Sequence, residues 1–354
     1  MRKKILCIMV ALVLSFSVCA SAETVDYVQA AITAADHLSG SNYLLTEDGS
    51  IITLGETRQT NTSFLAQLGN IKKLSVSVSG SSILSLTEDG DLYWGEKKID
   101  TGIADMIYAT TNNNEGAHYI TADGIKYVNN SGRVDTGSYT NYFVNLAEGK
   151  EKELSTQPIS IESDKHDFMV IDENGQLFMS YSTSEMYEGL DCYTWENLAL
   201  VDAARVLDSQ TVISLTVAGI QKDGTVLACG DYAEDILSWG PLAYISMADT
   251  MIVGLTVDGA VKMTGQYAEL MGSVVESWPN IVAIKAGKSN ASYDMVTAMD
   301  ADGNFYYAIV WSNTLKYSGM ISSESASTDM NCKKYAADGT VSASYADGIW
   351  SSEN

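Results

Sequence analysis

Eight strand–turn–strand units, a spacing near 40 residues between them and almost no helical periodicity predict an all-β chain folded as a β-propeller. Seven blades of about four antiparallel strands each are expected. The turn glycines are Gly49, Gly90, Gly124, Gly175, Gly224, Gly259, Gly303 and Gly339, at intervals of 34 to 51 residues. Each hairpin takes about half of such an interval, which leaves room for two further strands. One small sheet cannot bury both of its faces, so the units must pack radially around a channel. Eight turns also fit a ring of eight blades, the alternative.

In chain order, the first element is a leader. Residues 1–22 run from Arg2, Lys3 and Lys4 through an apolar stretch to Ala20-Ser21-Ala22. This is the order of a secretory signal peptide cleaved after Ala22. The apolar run falls short of the roughly 20 residues that cross a bilayer. No second apolar stretch of that length follows, so the expected product is secreted, extracellular and not inserted in a membrane. The leader carries three of the 21 Lys and Arg and none of the 45 Asp and Glu, so its loss takes the formal charge from −24 to −27. An acidic surface of this kind excludes nucleic acid and anionic lipid, which are bound through Lys and Arg.

Residues 23–321 hold the repeats. Segments such as SSILSLTEDGDLYWGE and MIVGLTVDGAVKMTGQ place Val, Ile, Leu, Tyr and Thr on both sides of a turn that ends in Asp-Gly or Asn-Gly. β-Branched and aromatic residues favour strands, and glycine supplies the positive φ of a three-residue hairpin loop. Leu44, Leu84, Leu86 and Val253 are expected between blades. A second glycine, Gly55, Gly95, Gly230 or Gly265, follows five or six residues after its turn glycine and is expected to end the third strand. Residues 322–354 form a tail hairpin that is expected to close the ring by pairing into the first blade, which would protect an open edge.

Certain motifs resemble the regulator-of-chromosome-condensation repeat family. They are Trp278-Pro-Asn-Ile-Val-Ala-Ile-Lys-Ala-Gly287, the Asp-Gly hairpins, the terminal glycines of LGE, WGE and CGD, and Ala66-Gln67-Leu68-Gly69. The resemblance covers roughly residues 28 to 321 and implies a seven-bladed propeller. The family usually places a histidine before the second strand, where this chain reads GSNYLL, GSSILSL and SNASYDM. The founding member is a nucleotide-exchange factor that binds chromatin. No position here matches a functional motif of the family, so none of its functional residues is carried over.

The chemistry candidates read as structure. Glu47-Asp48 and Glu88-Asp89 recur in two units, whereas a glycosidase needs two acids facing each other across a substrate from separate elements. They are read as turns. Asp300-Ala-Asp302-Gly-Asn304 begins like a calcium loop, but Phe305 stands at the sixth position and Trp311 at the twelfth, where such a loop needs Gly and Glu. His37, His118 and His166 are dispersed, each expected at a strand start or bend, and no zinc spacing joins them. No catalytic residue, cofactor or metal is assigned. Cys192, Cys229 and Cys332 make no disulfide framework, and Cys229 reads as a small buried side chain.

The segment Tyr181 to Trp195, YSTSEMYEGLDCYTW, stands apart from the repeat. Aromatic residues in a loop on a rigid frame favour recognition, which makes Tyr181, Tyr187, Tyr193 and Trp195 the binding candidates. The function expected is a secreted, monomeric, non-catalytic scaffold that presents loops to an extracellular protein or carbohydrate. Two other classes fit the same sequence. One is a secreted hydrolase, glycosidase-like, with residues contributed by different blades; the other is a structural component of the cell envelope.

Overall fold

The computed structural model describes residues 29–32, 42–45, 51–54, 62–76, 83–111, 114–129, 134–135, 142–145, 150–153, 157–163, 168–180, 192, 195–208, 211–248, 251–287, 293–311, 329–335, 341–346 and 349–352. The expected leader, Gly55 and the turns at Gly49 and Gly339 lie outside them.

Among the described residues the strands pair antiparallel into seven sheets. Sheet 1 holds Gln29–Ile32, Asn42–Leu45 and Ile51–Leu54. Sheet 2 holds Ile71–Val76, Ile83–Thr87, Leu92–Trp94 and Lys97–Asp100, and sheet 3 holds Asp105–Thr111, Asn114–Thr121, Gly124–Asn129 and Val134–Asp135. Sheet 4 starts from Pro158–Ser163, Phe168–Asp172 and Leu177–Ser180; its outer strands, Tyr142–Asn145 and Lys150–Glu153, come earlier in the chain. Sheet 5 is Leu198–Asp208, Thr211–Gln221 and Val226–Gly230, and sheet 6 is Leu242–Met247, Met251–Thr256 and Val261–Gly265. Sheet 7 begins with Ile281–Gly287, Tyr293–Asp300 and Phe305–Trp311. It continues through the tail strands Asp329–Tyr335, Val341–Ala346 and Ile349–Ser352.

The strands opening this way, Gln29–Ile32, Ile71–Val76, Asp105–Thr111, Pro158–Ser163, Leu198–Asp208, Leu242–Met247 and Ile281–Gly287, lie beside one another in that order. Ile281–Gly287 then lies beside Gln29–Ile32. The tail pairs with Phe305–Trp311 on the outer edge of sheet 7. It therefore does not close the ring on the first sheet as expected; the opening strands of sheets 1 and 7 meet there instead. An outer edge with seven free residues, Phe305 to Trp311, offers more ladder bonds than the four-residue strands of sheet 1.

Among the described residues, four strands per sheet hold only in sheets 2 and 3. Short helices follow the third strands of sheets 1, 5 and 6: α1 (Thr62–Leu68), α2 (Ala233–Ser238) and α3 (Ala268–Val275). In α3, Met271, Val274 and Val275 are buried at helical spacing, and the helix stops just before Ser277-Trp278-Pro279. Proline cannot extend a helix and biases its predecessor away from one. Carboxylates flanking two of these helices also take up strand N–H groups. The Glu276 carboxylate accepts the Met263 backbone N–H at 3.1 Å, and the Asp231 carboxylate accepts that of Leu215 at 3.2 Å.

Apolar clusters sit between successive sheets. Leu84, Leu86 and Leu92 meet Ile103, Met106, Tyr119 and Val128 between sheets 2 and 3. Ile120 and Ile125 meet Ile161, Val170 and Phe178 between sheets 3 and 4. Val253, Leu255 and Val261 join Ile284, Val296 and Tyr306 between sheets 6 and 7. Leu84, Leu86 and Val253 thus lie where expected, while the side chain of Leu44 is outside the described residues. Each fully buried leucine contributes about 2 kcal/mol relative to exposure.

The hairpin turns are fixed three residues before their glycine. Thr87 Oγ1 accepts the Asp91 N–H at 3.1 Å, and Thr256 Oγ1 accepts the Ala260 N–H at 3.0 Å. Asp172 Oδ1 accepts the N–H groups of Asn174 and Gln176 at 3.0 and 2.8 Å; Asp300 does the same for Asp302 and Asn304. Glu88 and Asp89 are exposed. The turn glycine then stitches one sheet to the next: the carbonyls of Gly90, Gly175 and Gly259 accept the N–H of Ile103, Leu198 and Ile281 at 2.9 to 3.0 Å. At Gly175, φ is +77°, and a Cβ would stand 2.5 Å from the Leu198 nitrogen. Gly230 and Gly265 end the third strands of sheets 5 and 6, and Gly95 follows Trp94, as the second-glycine pattern anticipates.

Two outcomes follow for urea denaturation. Thr87→Val should lose about 1 kcal/mol of stability, the worth of a local cap, while Glu88→Gln should change stability by less than about 0.5 kcal/mol. Gly175→Ala should cost clearly more than Gly102→Ala. Gly102 also has positive φ, +71°, but a Cβ there meets nothing within 4 Å. The Gly102 variant should therefore show only the backbone term of about 1 to 2 kcal/mol.

Candidate functional site

The opening strands bring together polar side chains that no local motif joins. When the strands are aligned on Ile71, Ile103, Pro158, Leu198, Leu242 and Ile281, Lys73, Asp105 and Tyr244 stand two residues on. Glu162, Asp202, Ser246 and Lys285 stand four residues on. Side chains alternate along a strand, so these two positions share a face.

Two aspartates use the same device. Asp105 Oδ1 accepts the next N–H of its own strand, Met106, at 2.8 Å, while Oδ2 accepts the Ile161 N–H of sheet 4 at 2.9 Å. Asp202 accepts the Ala203 N–H at 2.8 Å and the Met247 N–H of sheet 6 at 2.8 Å. Ser246 Oγ continues the series by accepting the Ala286 N–H of sheet 7 at 3.1 Å. In each case the acceptor reaches the inner edge of the following sheet, where no further strand supplies a partner.

Charges meet on the same side. The Lys73 ammonium lies 2.8 Å from the Asp105 carboxylate and 3.6 Å from that of Glu162, a contact that bypasses sheet 3. Burial alone would lower the Lys73 pKa, but Asp105 and Glu162 outweigh it and raise the value to about 12. Burial would likewise lower that of Lys285. Tyr244, Glu162 and Asp202 overcome this and hold it well above its ordinary value. The Tyr244 hydroxyl is pushed up, mainly by burial. Both lysines therefore stay cationic through the neutral range, held by carboxylates from sheets 3, 4 and 5.

Of the residues singled out in the sequence, the described ones do not meet there. Trp195 is buried at 9% exposure with Met169, Ile171, Cys192, Leu198 and Val201 between sheets 4 and 5. It packs as a core residue rather than on a recognition surface, because its indole covers the gap left by Gly219. Tyr181, Tyr187 and Tyr193 lie outside the described residues. Asp300 is not set up as a calcium ligand: Oδ1 takes two backbone N–H groups, and Oδ2 accepts the Asn304 amide and the Tyr306 hydroxyl at 2.8 and 2.9 Å. His118 lies inside the strand Asn114–Thr121 rather than at a start or bend. It is buried with its ring centroid 5.0 Å from that of Tyr127, and burial lowers its pKa to about 3. Among the described residues no group of three His, Cys, Asp or Glu could hold a metal ion. Cys229 is half-buried on the third strand of sheet 5.

These residues escaped the sequence reading because they lie on separate strands that are otherwise largely apolar. Their signal is positional: a polar or charged residue two or four residues beyond the aligned position in the six opening strands from Ile71–Val76 to Ile281–Gly287, visible only once the strands are aligned.

No family model matches the chain, and no curated protein sequence does; the resemblance to regulator-of-chromosome-condensation repeats rests on its motifs alone. Solved structures with similar folds include the BP39L lectin from Burkholderia pseudomallei, 14% identical, covering 80% of this chain and 96% of that one with a TM-score of 0.48. The computationally designed Ika8 protein is 15% identical over 88% and 94%, TM-score 0.43. The Cps50 (Swd1) β-propeller domain of Myceliophteria thermophila is 8% identical over 77% and 96%, also at 0.43.

Removing the Lys73 charge tests the axial network. Lys73→Met should destabilise the protein by about 3 kcal/mol at pH 7, since two buried carboxylates lose their counter-ion. In the wild type the folded-state pKa, about 12, exceeds the unfolded value near 10.4. The contribution is complete below about pH 10.4 and disappears as pH rises through 12, a loss of about 2 kcal/mol. Urea midpoints measured from pH 7 to 12 should show that alkaline decline in the wild type and a shallower one in the variant.

Proposed function

We propose that the chain is an exported, non-catalytic, seven-bladed β-propeller that presents loops to an extracellular protein or glycan. Seven sheets with apolar clusters between successive members, and opening strands that neighbour one another in cyclic order, support the blade count. The observation that carries the binding reading is the use of the axial acceptors. Asp105, Asp202 and Ser246 are engaged in joining sheets, which makes a stiff frame and leaves recognition to segments the repeats do not share. Tyr181, Tyr187 and Tyr193, in the longest such segment joining sheets 4 and 5, are the proposed contacts.

The convergence of Glu162, Asp202, Tyr244 and Lys285 from four sheets favours a second reading, a hydrolase assembled without a local motif. Carboxylates from separate elements beside a cationic lysine are groups that acid–base chemistry uses.

Incubating the mature chain with arrays of glycans and extracellular proteins distinguishes the two. Saturable binding above a heat-denatured control, weakened at least tenfold by replacing Tyr181, Tyr187 and Tyr193 with alanine, is the expected result. Turnover of glycoside or ester substrates that falls at least a hundredfold in a folded Glu162→Gln variant would establish the hydrolase instead.

A further inference from the structure

Two of the three cysteines outside the leader share one cluster. Cys192 is fully buried between sheets 4 and 5, and Cys229 packs against the same cluster from the third strand of sheet 5. The register places them on one face. Cys229 pairs with Val217 and Leu227 with Gly219, so Cys229 and Gly219 lie two residues apart along the ladder and face the same way. The Trp195 ring covers that face at Gly219, where a Cβ would stand 3.3 Å from Cε3. Cys192 is three residues before Trp195, in a turn closed by the Trp195 N–H on the Cys192 carbonyl at 3.2 Å. Residues three apart in such a turn fall on the same side. Cys332 is on sheet 7, opposite Ala308.

We propose that Cys192 and Cys229 form a disulfide that clamps the connection between sheets 4 and 5 onto sheet 5. The oxidant is a small or protein disulfide. One cysteine thiolate attacks it, releasing one thiol and leaving a mixed disulfide, and the second thiolate displaces the other thiol. Two cysteine thiols are thereby oxidised as one external disulfide is reduced to two thiols. In the cell the proposal rests on export, since only an oxidising compartment keeps such a bond. The chemistry of the pair is independent of that reading and is tested on the purified chain.

The mature protein is incubated with oxidised glutathione, quenched in acid, alkylated and digested for mass spectrometry. The expected product is one linked pair of peptides carrying Cys192 and Cys229, two hydrogens lighter than their sum, with Cys332 alkylated. The oxidised protein should melt about 5 °C above the reduced one, the scale expected for a loop of this length in a chain of this size. Cys229→Ser, on a half-buried strand, should abolish both the link and the difference while leaving the reduced midpoint within about 2 °C of wild type. A link through Cys332, separate glutathione adducts on Cys192 and Cys229, or two unreacted thiols would overturn the proposal. If the link forms in vitro but the cellular protein retains its leader and thiols, export fails and the pairing stands.

Discussion

The opening strands Pro158–Ser163, Leu242–Met247 and Ile281–Gly287 stand at the edges of their sheets, and the fold depends on finding partners for the backbone N–H groups along those edges. A buried amide without a partner costs about as much as a lost hydrogen bond, and an open edge invites wrong pairings. This chain answers with side chains from the preceding sheet. Asp105 serves Ile161, Asp202 serves Met247 and Ser246 serves Ala286. In every case the donor stands one residue further along its strand than the acceptor does along its own. The repetition sets the axial stagger of neighbouring sheets, which apolar packing alone leaves loosely defined.

The apolar clusters and the polar axis divide the work. Burial between sheets supplies most of the stability, at about 2 kcal/mol for each enclosed leucine or isoleucine. The axial charges add little net stability, because desolvation offsets much of their attraction. They specify instead. Lys73 joins Asp105 to Glu162, and Lys285 draws on Glu162, Asp202 and Tyr244, so carboxylates of three sheets are tied to cations of two others. A sheet displaced along the axis would strand one of these charges in the interior.

The hairpins were legible because glycine and its neighbours carry conformational information within five residues. Glu88 and Asp89 are exposed turn residues, as read, while the side chains that hold the turns, Thr87, Asp172, Thr256 and Asp300, went unmarked. The helices were not legible, since α2 and α3 are too short for periodicity to emerge from six to eight residues. Trp195 looked like a recognition residue because loop and core aromatics have the same composition; its burial follows from a gap at Gly219, 24 positions away. The axial cluster required all the opening strands at once, and no window of sequence contains more than one. The tail was expected on sheet 1 because pairing there would protect an open edge, without weighing the longer edge that sheet 7 offers.

Among the described residues, the opening strands that lie beside one another belong to sheets that follow each other in the chain, except Gln29–Ile32 and Ile281–Gly287, which come from the first sheet and the last. Where the sheets follow each other, the connecting chain holds a separated pair at high effective concentration and returns it to contact. Gln29–Ile32 and Ile281–Gly287 have about 250 residues between them in the chain, so no local connection returns them to each other. In the proposed seven-bladed ring this contact is the latch, the place where breathing under heat, tension or a prying partner is expected to start.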